Sequence, residues 1–348
     1  MRSCPALPRP LFHESGAVVL QAGERLGPEE IRLLERHGIR TLYDLDSEPA
    51  VRRRPPVFRA DPPAAVRAFC DERRLLQLER ELDRCVPRQL PAGRLLERPV
   101  AQLRNGVLEA WLETAVAAEE PAGVRWRERI AQARPLPPRP ASQRHDALRS
   151  RREQIAQLAE LFAALGGEAT LLFSSVLEIG RALCLRVIRD PDLMLALLGA
   201  GPVDDVAYDA ERHEPLARRS WEVAVLSIAA AVQLDYGPPQ VLEIGCAALL
   251  HAAAHVGDDE GANGRLPPAD AQDPVRWRTA LAALRRFDTL GAGVVTVALA
   301  QLGNGAESSP RHFARLVLTA RRFVELLAET TARGGLPHDA VREAAALG

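Results

Sequence analysis

Residues Arg134–Pro140 read Arg-Pro-Leu-Pro-Pro-Arg-Pro. Four prolines in seven residues remove four amide donors and fix four φ angles. Such a stretch can be neither a helix interior nor a central strand, and it reads as a stiff, extended linker. A chain of 348 residues is long enough for two domains. The linker, taken as 134–145, separates two halves of different texture. A small α+β domain is expected over 1–133 and an all-α domain over 146–348, a mainly α protein overall.

The N-terminal half opens with a short apolar run, Gly16–Leu20, followed by turn signals at Gly23 and Gly27. Pro28 then starts a helix with Glu29 and Glu30 in its first turn, where acidic groups suit the helix dipole. Gly38 closes that helix, and Ile39–Tyr43 reads as a second strand. Gly16–Leu45 is therefore a β-turn-α-β unit. A weaker echo, Leu90-Pro-Ala-Gly93 and Arg104-Asn-Gly-Val-Leu108, suggests a decayed second copy over 89–130. Between the copies, Arg52-Arg-Arg54 is a basic cluster. The helix that follows interleaves its arginines with Asp71, Glu72, Glu79, Glu81 and Asp83, so the cluster reads as a solvated loop rather than an anion site.

In the C-terminal half, Leu148, Ile155, Leu158, Phe162 and Leu165 recur at helical spacing up to Gly166-Gly167. Further helices are expected at 168–189, 192–198, 215–234, 239–255, 274–287, 291–302, 310–333 and 337–347. Proline or glycine marks nearly every junction, and no strand-like alternation is expected.

Composition narrows the function. Net charge is −1, with 45 basic residues against 46 acidic ones, which argues against a nucleic-acid partner. Every basic residue is Arg; without Lys there is no Schiff-base lysine and no phosphate-loop lysine. The five cysteines (Cys4, Cys70, Cys85, Cys184 and Cys246) show no Cys-x-x-Cys spacing, so neither a disulfide framework nor a zinc site is expected. The start, Met1–Phe12, does not read as a signal peptide. The apolar runs 223–234, 241–256 and 290–302 are shorter than the roughly 18–20 residues that span a bilayer. A cytoplasmic protein with no membrane partner is expected.

The most informative segment is Arg219–His255: two apolar helices joined by Gly237-Pro238-Pro239, the second running into Ala247-Ala-Leu-Leu-His251. Val223-Ala-Val-Leu226 and Ala247–His251 fit without gaps the frame of the HD-GYP family, bacterial metal-dependent phosphodiesterases of the HD superfamily, and the segment resembles that family. Asp190–Leu197 resembles the helix before its first ligand, and Phe313–Ala320 resembles its late ligand-bearing helix. Gly16–Tyr43 resembles the small domain that often precedes it.

The resemblance implies a helical fold with two or three metal ions held by His and Asp, activating water on a cyclic dinucleotide. Mapped onto this chain, the ligand positions fall at Arg219, His251, Ala252, Arg278, Gln301, Leu302 and Arg321, of which His251 alone keeps a ligating side chain. The Gly-Tyr-Pro loop is replaced by Gly303–Pro310. A lone His does not hold a catalytic cluster, and an Arg repels the cation. The expectation is a pseudoenzyme without a cofactor, acting in signalling or as a scaffold through protein contacts, with a homodimer as one form. Two alternatives stay open. Arg219, Arg278 and Arg321 could grip the phosphates of a cyclic dinucleotide without cutting it. His251 and His255, four apart, could retain one metal and a residual hydrolase activity. Trp221 and Trp277, beside former ligand positions, are expected to fill the vacated pocket.

Overall fold

The computed structural model describes residues 6–15, 17–43, 62–85, 89–91, 141–167, 170–200, 208–256, 282–291, 294 and 312–333. These fall into two units, one of residues up to Glu81 and one from Leu82 onward. Among the described residues the boundary falls between Glu81 and Leu82, inside a helix. Residues 134–140 lie outside the described residues, and helix begins at Ala141, directly after Pro140.

In the first unit, β1 (Leu11–Phe12) pairs antiparallel with β2 (Val18–Leu20). The second expected strand reduces to one bridge, Tyr43 to Phe12. Helix α1 (Pro28–Arg36) forms where the sequence places it. The Glu30 carboxylate reaches back to accept from the Gly27 amide at 2.9 Å, capping a first turn that has no partner of its own. Gly38 takes φ +70°, which a side chain would resist, and the chain turns away there. α1 lies against α2 (Ala64–Arg84). Their apolar stripes meet β2 in a core of Val19, Leu20, Leu33, Leu34, Ile39, Val66 and Phe69. Arg73–Glu24 at 2.8 Å, Arg80–Glu30 at 2.7 Å and Arg36–Glu72 cross between α2 and the rest of the unit. Glu72, Arg73 and Arg80 of α2 thus have intramolecular partners. Arg52, Arg53 and Arg54 lie outside the described residues, as does most of the suspected repeat 89–130.

The second unit is mainly helical: α3 (Ala141–Leu165), α4 (Phe173–Arg189), α5 (Pro191–Ala196), α6 (Glu214–Gln233), α7 (Pro238–Leu250) and α8 (His312–Ala332). Starts and stops follow local chemistry. Asp190 caps α5 by accepting from the Leu193 amide at 3.0 Å. Prolines sit in the first turns of α5, α6 and α7. α6 is the central element, packed by α3, α4, α7 and α8. Most residues of α7 are buried, as its mainly apolar sequence requires, and Glu243 is buried with them. Glycines set the close approaches: a Cβ on Gly245 would stand 3.0 Å from Ile228, and one on Gly180 would stand 2.9 Å from the Cys246 sulfur.

One expectation is corrected here. The C-terminal half is not free of strand: β4 (Thr289–Gly291) pairs antiparallel with β3 (Gln89–Pro91). Asp288 beside it accepts from the Phe173 amide at 3.0 Å and so caps α4. The expected helices at 274–287 and 291–302 lie mostly outside the described residues, and the one at 337–347 entirely so. No helix among the described residues is long and apolar enough to cross a membrane.

Candidate functional site

The α6–α7 hairpin reverses at Leu234–Gly237, where Asp235 adopts φ 67° and Gly237 leads into the two prolines of α7. This tight return sets Arg219, near the start of α6, toward the end of α7, where His251 and Ala252 follow Leu250. α8 lies along α6 and also meets α7. Three elements therefore converge, carrying four of the seven positions read from the sequence: Arg219, His251, Ala252 and Arg321. The other three, Arg278, Gln301 and Leu302, lie outside the described residues, as does Trp277.

His251 is fully buried. Its Nδ1–H donates to the Ala248 carbonyl at 2.6 Å. In the neutral ring this tautomer leaves a lone pair on Nε2, which meets no hydrogen-bond partner among the described residues. The imidazole is pushed down to about 3, by burial first and by the charge of Arg321 second, with His255 adding to both and the Ala248 bond opposing them. The ring is therefore neutral, and the cation whose charge acts on it is Arg321.

That cation is itself enclosed. Arg321 is 5% exposed, and its Nε donates to Glu325 one turn further along α8 at 2.8 Å. Arg219 reaches across from α6 and donates from Nη1 to the Val324 carbonyl at 2.9 Å. Glu222 stands 3.8 Å from the same nitrogen and accepts from the Gly199 amide at 3.1 Å. Burial raises the Glu222 carboxyl against the pull of Arg219, and burial lowers Arg219 against the pull of Glu222. Ala252, where the resemblance has an aspartate, is a buried methyl.

Two expectations change in detail. Trp221 is fully buried, but its indole N–H donates to Gln154 of α3 at 2.8 Å, and the Arg151 guanidinium lies 5.6 Å over its ring. Trp221 thus packs against α3. His251 and His255 do not share one continuous α-helix: α7 stops at Leu250 and His255 ends a 3-10 turn, Ala253–His255. Both rings are buried. No group of three or more His, Cys, Asp or Glu side chains among the described residues is arranged to hold a metal ion.

Sequence reasoning missed Glu222, Glu325 and Arg151. The first two were signalled by spacing, since Arg219/Glu222 are three apart and Arg321/Glu325 four apart on helices. Arg151, which binds the Ala200 carbonyl at 2.6 Å, carried no such signal because its partners come from other elements.

Comparison with known families, with curated proteins and with solved structures gives no match.

Proposed function

We propose that this chain is a non-catalytic HD-GYP-like protein that works in signalling or as a scaffold, through contacts with other proteins. One observation carries the reading: a buried guanidinium, Arg321, acts on His251 where the resemblance expects an acidic metal ligand. A unit positive charge repels a divalent cation, and at 4 Å in an effective dielectric of 20 each unit-charge pair is worth about 4 kcal/mol. Arg219 and Ala252 remove two further ligands. Meanwhile the apolar frame that positions those residues is intact, with Val223, Ala224, Val225, Ala247, Leu249 and Leu250 all buried. A fold kept around a dismantled centre fits a role in binding partners, including a second copy of the chain.

The cyclic-dinucleotide sensor ranks second. Its arginines would have to face a ligand, yet Arg219 is engaged by the Val324 carbonyl and Arg321 by Glu325. A phosphate would have to displace both contacts and enter a site where Arg321 is 5% exposed. A residual hydrolase ranks third, since it needs a metal beside Arg321.

Incubation of the folded protein with cyclic di-GMP and Mn²⁺ or Fe²⁺, together with calorimetric titration of the same dinucleotide, tests these readings. The proposal expects neither turnover nor binding heat. Binding without turnover moves the assignment to the sensor, and turnover lost in His251→Gln moves it to the hydrolase.

A further inference from the structure

We draw no further inference here: the strongest candidate, the surface patch formed by Phe12, Val18 and Tyr43 where they stand side by side across the strands of the first unit, carries nothing because nothing in the structure shows what covers it.

Discussion

His251 has a titratable ring held where a proton is least welcome. Its folded value, about 3, lies below the ordinary histidine value of roughly 6.5. The unfolded chain therefore binds more protons as pH falls through that interval, and stability drops with it. This contribution is intact above pH 7 and is lost progressively toward pH 3. By pH 4 the loss from this one group is about 3 kcal/mol. Urea unfolding of wild type and His251→Gln at pH 7 and pH 4 checks it, because the variant lacks the ionisable ring and should show a smaller acid loss. Equal acid losses in both proteins would remove His251 as the cause. Glu222 makes a second residue-scale case. Its carboxylate is 3% exposed and stands between the Gly199 amide and Arg219. Glu222→Leu takes away the nearest carboxylate of Arg219, which keeps the Val324 carbonyl, and leaves the Gly199 amide without its acceptor, at a cost of about 1–3 kcal/mol. Glu222→Gln keeps an acceptor for Gly199 and should cost less. Denaturant midpoints of the two variants give the order directly.

At the scale of elements, the seam between α4 and α7 is set by what is missing from Gly180. A methyl there would press on the Cys246 sulfur, and the sulfur in turn sits 3.9 Å from the Val176 carbonyl. Gly180→Ala is therefore expected to destabilise by about 1–3 kcal/mol through overpacking, less the roughly 1 kcal/mol that alanine gains as a helix former. Adding Cys246→Ala should recover most of the loss, and a double-mutant cycle reads that coupling. Independent effects would mean the helices do not meet at this pair.

The helices were legible in the sequence because their boundaries are local events. Pro28 and Gly38 bracket α1, and Gly237-Pro238-Pro239 opens α7. The β3–β4 pair was not legible, since each strand has three residues and its partner lies 200 positions away, Leu90 opposite Leu290. The helical state of 141–145, expected as the end of the linker, was not legible for a different reason. Proline is as suited to the start of a helix as to an extended linker, and α3 starts at the next residue. The centre was half legible. Spacing along α6 and α8 signalled the pairs Arg219/Glu222 and Arg321/Glu325, but the direction of Trp221 depends on α3, and no pattern in α6 encodes that.

Over the whole molecule, the described residues form two units with separate cores. Unfolding is expected to show two transitions rather than one. Leu20→Ala removes a fully buried side chain from the first unit and should lower that transition by about 2–5 kcal/mol while leaving the other in place. Ile228→Ala, fully buried on α6, should do the converse. Differential scanning calorimetry of the full chain distinguishes this from one cooperative transition shifted by both variants.

The functional proposal rests on the second unit, and its centre is a neutral imidazole under the charge of a buried arginine. The measurement that bears on it most directly is elemental analysis of folded full-length protein purified without chelator, for wild type and His251→Gln. A dismantled centre predicts manganese, iron and zinc well below one atom per chain in both. One or more tightly held ions per wild-type chain, lost on substitution of His251, would contradict it.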